Sequence, residues 1–416
     1  MKNIYLFVFV YCSFLSLCMS QGKSSTASLI SGTSINSEYL GEEILIDIYV
    51  PPSYEASGAK NYPVMYIMDG QEYFLHPVAY QEMLRFKDKS PDFIVVGIRS
   101  DRKIRRKWYA ERSEAFINFL QSEMIVYIDK NYRTLKNSER LYFGWEMAGG
   151  MALKVFMETP ALFNAFLIAS PTGVNNKGLA DFKAALAQKD TLKSFFYFTK
   201  APDETYSERA FNELATAFKN APVSGLDWKL DDLEGEDHYT TPAKTIHNGL
   251  QIYFRDYNTL RFFSLKEYDG FGDLNAIKAY YQKRGERYDV SPEVHKTTRH
   301  FLLLHAMNED NYVRFKQYLN EFKGHFNGGG LDVWPGRFSR YCMQKKDFES
   351  AWYILNKGLK AFPESADVHY TVGDYYKTTG NDEQARYHYH KAVEYARKNR
   401  DPKLKEYESS LKQMKK

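Results

Sequence analysis

Residues 141–156 read LYFGWEMAGGMALKVF, and the order of residue types in this stretch decides the fold. Leu141 to Gly144 is a short apolar run of strand character. Ala148, Gly149 and Gly150 are small. Met151 to Phe156 has the apolar spacing of a helix. Strand, tight turn and helix together make the shape of the nucleophile elbow G-x-S-x-G, in which a serine on a strained turn projects into a pocket. The position two residues after Gly144 holds Glu146 instead of serine, and the second glycine of the motif is Ala148.

Strands and helices alternate on both sides of this stretch. EEILIDIYV before Pro51-Pro52 alternates apolar and polar residues and reads as a strand. YPVMYIMDG and DFIVVGI are nearly continuous apolar runs, as expected of strands buried on both faces in a parallel sheet. HPVAYQEMLRF and SEAFINFLQSEMIVYIDKNY have helical spacing. After the elbow come strand AFLIAS, helix LADFKAALAQ, strand SFFYFT, helix SERAFNELATAFKNA, strand DWKLDDLEG and a last helix from about Pro242 to Tyr257. The alternation predicts a doubly wound, mostly parallel α/β domain over residues 38–258.

From about residue 260 the strands stop. Residues 259–330 read as a helical linker, with NGGG at 327–330 as a loop. Ala351, Leu355 and Gly358 recur as Ala385, Tyr389 and Ala392 at an offset of 34 residues, the tetratricopeptide period. Gly373, Tyr376 and Gly380 stand where a first repeat helix carries them, with Pro363 in the preceding turn. Residues 331–416 are therefore expected to form tetratricopeptide-like helical repeats.

Residues 1–20 have the charged start (Lys2), apolar run and small-residue end of a secretory signal, so the chain is expected to be secreted or periplasmic. A lipid anchor at Cys18 fits less well, because bulky Leu17 precedes it. Residues 21–37, rich in Ser, Gly and Thr, are expected to be flexible. Cys12 and Cys18 leave with the signal, so Cys342 is the lone thiol of the mature chain and forms no intramolecular disulfide. Formal net charge is +4, with acids and bases interspersed. No basic stripe or nucleic-acid motif is present, which argues against nucleic acid as a partner. No Cys/His cluster has zinc spacing; no metal and no cofactor are expected. No segment after the signal is long and apolar enough to span a membrane.

Candidate catalytic groups follow the elbow in the order carboxylate, then histidine. Asp203 and Glu204 follow strand SFFYFT, and His238 follows strand DWKLDDLEG. Either carboxylate could orient the imidazole. Backbone N–H groups of Gln71, after YPVMYIMDG, and of Met147, after the elbow residue, are the candidate oxyanion hole.

Taken together these stretches resemble the esterase family of α/β-hydrolases that includes the esterase D group, enterobactin esterases, feruloyl esterases and S-formylglutathione hydrolase. YPVMYIMDGQEYF is similar to the family's YPVLYLLDG stretch, and LYFGWEMAGGMALKVF aligns without a gap to L-G-H-S-L-G-G-L-F-A-L. PDFIVVGI, AFINFLQSEMIVYIDKNYRT, AFLIASPT and GEDHYTTP match the flanking segments, so the resemblance spans about residues 30–258. The tail resembles that of exported bacterial esterases with degenerate C-terminal tetratricopeptide repeats. The resemblance implies an α/β-hydrolase fold and a small-molecule ester or related compound as ligand; the helical repeats offer a surface for a protein partner.

The departures from the family are chemical. The nucleophile aligns with Glu146. Segment 99–116, RSDRKIRRKWYAERSEAF, is shorter than usual and keeps only a basic cluster. A carboxylate can act as a covalent nucleophile, but Glu is two carbons longer than Ser and misplaces the reacting atom by about an ångström, a large error for pre-organised chemistry. Beside His238, Glu146 is expected to form an ion pair that favours the charged imidazole and so weakens it as a base. Ser170, in ASPT, reads as a turn residue and not as a substitute nucleophile. The sequence thus predicts a pseudo-esterase that binds ligand or protein; the alternative is a carboxylic-ester hydrolase using Glu146 and His238.

Overall fold

The computed structural model describes residues 28–85, 88–189, 191–221, 223–328 and 330–414. The predicted signal sequence, with Cys12 and Cys18, lies outside these residues. By internal contacts the chain divides into two units, one running to Asn258 and regaining Gln282–Pro292, the other formed by Thr259–Tyr281 and the residues from Glu293 onward.

The first unit carries one sheet of eight strands: β1 (Ser28–Ser37), β2 (Glu42–Val50), β3 (Val64–Met68), β4 (Ile94–Ile98), β5 (Arg140–Trp145), β6 (Ala165–Ala169), β7 (Thr191–Lys200) and β8 (Ser224–Asp232). Their order is β1-β2-β4-β3-β5-β6-β7-β8. β1 and β2 are antiparallel to their neighbours, and β3 to β8 run parallel. The apolar runs of the sequence are strands covered on both faces. In β3, Val64, Tyr66 and Met68 enter one core, and Met65 and Ile67 the other. Residues 28–37 correct the expectation of a flexible segment. The alternation of Ile35 with polar neighbours pairs with Ile44 of β2 along an antiparallel ladder, and backbone hydrogen bonding outweighs the turn-forming composition.

The strand order reverses at β3. The chain leaves β3 for β4 on one side and leaves β5 for β6 on the other. Ligands in open α/β sheets bind at such a switch point, beyond the carboxyl ends of the strands. Asp69 follows β3 and Glu146 follows β5, so the topology brings these two residues to the same crevice.

The second unit is helical throughout its described residues. Ala351 and Leu355 lie buried on the helix Phe348–Ala361, and Ala385, Tyr389 and Ala392 on the helix Asp382–Asn399. Gly373, on the helix Ala366–Thr378, faces the Tyr389 ring so closely that a Cβ would come within 2.6 Å of it. Small residues at these positions let the helices meet. Cys342 is fully buried, and burial pushes its thiol up to about 12. Among the described residues no helix is long and apolar enough to cross a membrane, and no His/Cys/Asp/Glu cluster could hold a metal ion.

Candidate active site

Glu146 occupies the turn between β5 and the helix Met147–Glu158 with φ 54° and ψ −115°, a conformation that costs a non-glycine residue about 1–3 kcal/mol. The surroundings hold it there. Its N–H donates to Ala169 O at 3.0 Å, and its carbonyl accepts from Gly150 N and Thr172 N, each at 3.0 Å. The turn needs small residues. A Cβ on Gly144 would lie 2.5 Å from Ala148 O, and one on Gly150 would lie 2.0 Å from Thr172 O. Ala148 is fully buried and fits. The backbone is that of a nucleophile elbow carrying a carboxylate.

That carboxylate does not pair with His238, which corrects the sequence expectation. Arg105, from the helix Arg102–Arg106, donates from Nη1 to Glu146 Oε2 at 2.8 Å and from Nε to Asp69 Oδ1 at 2.9 Å. Its guanidinium also lies 5.3 Å from the Trp145 ring centre. The planar fork of arginine suits this two-carboxylate bridge. The basic cluster in the shortened segment therefore has a specific target. Asp69 is buried in a left-handed conformation, with Ser100 Oγ and Tyr109 OH also on Oδ1 and no partner on buried Oδ2. Burial raises its pKa; Arg105, Ser100 and Tyr109 offset this only in part.

His238 and Glu204 form a separate hydrogen-bonded pair, through Nδ1 and Oε1. Glu204 is buried, and it also accepts from Tyr206 OH at 2.7 Å, Ala201 N at 2.7 Å and Ser170 Oγ at 2.8 Å. Burial pushes its carboxyl upward, but the hydrogen bonds from His238, Ala201, Tyr206 and Ser170 outweigh it and hold the group below the ordinary range. The carboxylate accepts from His238 Nδ1–H and so fixes the orientation of the imidazole. Trp145 Nε1 donates to the His238 carbonyl at 2.9 Å, and the two rings are 4.9 Å apart.

Asp203, the other candidate acid, is exposed and outside this pair. Ser170 is not merely a turn residue. It sits at φ 43°, buried, bridging Glu204 and Thr241. Gln71 lines the cleft, its side chain clamping Ser100 through Ser100 N at 2.9 Å and Ser100 O. Met147 opens the helix behind the elbow and packs on the core. No acceptor among the described residues takes the backbone N–H of either. Asp69, Arg105 and Trp145 were missed as site residues in the sequence; only the DG turn and the basic cluster hinted at the first two. The cleft holding Asp69, Gln71, Arg105, Trp145, Glu146 and His238 has a volume of about 1000 Å³.

The model of the Esterase family matches residues 37–201, from the end of β1 past the elbow to the end of β7. The α/β unit belongs to the Esterase family. The chain is similar in fold to an IroE-like serine hydrolase of Shewanella oneidensis, at 19% identity and a TM-score of 0.53, over 72% of this chain and 100% of that one. An uncharacterised protein of Capnocytophaga ochracea, also 19% identical, is similar over 88% of this chain and 94% of its own, with a TM-score of 0.55. No curated protein matches the chain significantly. The sheet of this fold is thus present here, and the turn after β5 carries a carboxylate, Glu146.

Proposed function

We propose that this chain is an exported pseudo-esterase, which uses the esterase cleft to bind a small-molecule ester or related ligand without forming an acyl-enzyme. The observation that carries this reading is Glu146 on the elbow, held by Arg105 at 2.8 Å. An acyl-enzyme route of the serine or cysteine type needs a hydroxyl or thiol at this position with a base within reach. The elbow side chain is instead a carboxylate held by a guanidinium that it shares with Asp69. Attack by it on an ester would give an anhydride from a group already bound to a guanidinium. The tetratricopeptide-like helices would supply a surface for a protein partner.

A second reading, hydrolysis by a water molecule activated at His238, is favoured by one observation: the Glu204–His238 pair is intact, with Tyr206 and Ser170 supporting it. Hydrolysis of short-chain nitrophenyl esters by the mature protein, Glu146→Ser and His238→Ala separates the two. The pseudo-esterase reading expects no turnover above buffer in the native chain and a gain in Glu146→Ser. Turnover by the native protein that is lost in His238→Ala would replace it with the water-mediated route.

A further inference from the structure

The helical unit contains a smaller cleft of about 310 Å³, at the low end of the sizes that small-molecule sites occupy. Its walls are aromatic: Phe301, Phe326, Trp334 and Phe362, with the imidazoles of His300 and His325. The His300 ring meets Trp334 edge-on at 4.4 Å and lies 5.7 Å from His325. Neither imidazole has a hydrogen-bond partner among the described residues, and His325 Nδ1 is wholly buried without one. Buried polar atoms are nearly always satisfied, and one that is not calls for an explanation. Burial, with Arg337 beside His300 and with His300 and Arg299 beside His325, keeps both rings neutral. Each therefore offers one donor and one acceptor. Lys296 stands in the cleft wall, and the Arg337 guanidinium lies over the Trp334 ring at 4.6 Å.

From this arrangement we infer that the helical unit binds a small planar aromatic acid, its ring against Phe301 and Trp334 and its carboxylate toward the Lys296 side and the accessible ring nitrogens of His300 and His325. Flat walls favour a flat apolar ring over an aliphatic one. The surrounding cations favour an anion over a neutral or cationic compound. The volume admits one or two fused rings and excludes a folded polypeptide segment. This inference stands independently of the reading of the esterase cleft.

The test is calorimetric titration of 1-naphthoate into the full mature chain at pH 7.5, beside His325→Phe, Trp334→Ala and, as a control in the other cleft, Trp145→Ala. Saturable one-site binding is expected. It should weaken at least tenfold in both His325→Phe and Trp334→Ala and stay unchanged in Trp145→Ala, with 1-naphthalenemethanol binding at least tenfold more weakly than the acid. His325→Phe keeps a flat aromatic ring at this position, so it remains informative if Trp334→Ala fails to fold. Absence of saturable binding overturns the inference. So does binding lost in Trp145→Ala but kept in His325→Phe, or a cleft that takes a hydrophobic peptide and no naphthoate.

Discussion

Arg105 and Glu146 form an ion pair at 2.8 Å across the mouth of the elbow, with the Arg105 side chain 14% exposed and that of Glu146 28% exposed. The same guanidinium reaches Asp69, whose side chain is only 2% exposed. One cation therefore compensates two carboxylates, and the more buried of the two depends on it more.

Arg105→Ala should destabilise the α/β unit by about 3 kcal/mol at neutral pH, since removing one partner leaves Asp69 buried and uncompensated. Glu146→Gln, which keeps the Arg105–Asp69 contact, should cost under about 1 kcal/mol. The pH dependence follows from the raised pKa of Asp69. A carboxyl that is more basic in the folded state costs stability once ionised, so the Arg105→Ala deficit should shrink as pH falls through the folded-state pKa of Asp69. Urea unfolding of the two variants at several pH values checks this.

Glu204 and Asp203 should behave differently despite their adjacency. Glu204→Ala removes the acceptor of His238, Tyr206, Ser170 and the Ala201 N–H together, and should cost about 2–4 kcal/mol. Exposed Asp203→Ala should fall within about 0.5 kcal/mol of the native chain. The folded-state pKa of Glu204 is depressed. Its stabilisation is therefore full above the ordinary carboxylate range and is lost as pH falls through the folded value. Chemical denaturation of each variant near neutral pH tests the ranking.

Where the sequence was legible, the signal was local. The strands of the α/β unit announce themselves as apolar runs, because each buries both faces of a short segment. The elbow is a run of neighbouring residues, from Gly144 to Gly150, so its motif is legible with Glu146 where the pattern carries serine. The pairing of His238 with one of the two carboxylates after β7 was legible from chain order and strand ends. Arg105 was not, because its partners lie 36 and 41 residues away in the chain and only folding brings them together. Glu146 was expected beside His238 for the same reason. A carboxylate goes to the better-placed cation, and no local pattern names it. β1 was missed because turn-forming residues at an edge strand still make a ladder when a neighbour offers one.

The helical unit should lose stability in acid through its buried histidines. His369 and His388 face each other with Nδ1 atoms 2.9 Å apart, and His369 Nε2 meets the Pro363 carbonyl. Burial lowers both, His388 to about 4. The unfolded chain binds these protons near pH 6.5 and the folded one does not. Stability is thus intact above about pH 6.5 and falls as pH drops toward 4. Amide exchange across residues 366–399 should accelerate over this window, and His388→Phe should flatten the dependence.

Packing on the repeat-like helices gives a further prediction. Gly373→Ala drives a methyl into the Tyr389 ring and should cost about 1–3 kcal/mol, against a gain expected for Gly→Ala in an open helix. Thermal unfolding of the variant beside Gly270→Ala, at an open helical position, checks it.

The central claim is that the elbow is intact and its nucleophile alone is missing. It is tested most directly by a fluorophosphonate probe, which bonds only an activated hydroxyl, followed by mass mapping of the adduct. The account predicts no adduct on the native chain and a stoichiometric adduct at position 146 in Glu146→Ser, abolished when His238→Ala is added. Adduct formation on a serine of the native chain in a His238-dependent manner, or none in folded Glu146→Ser, would contradict it.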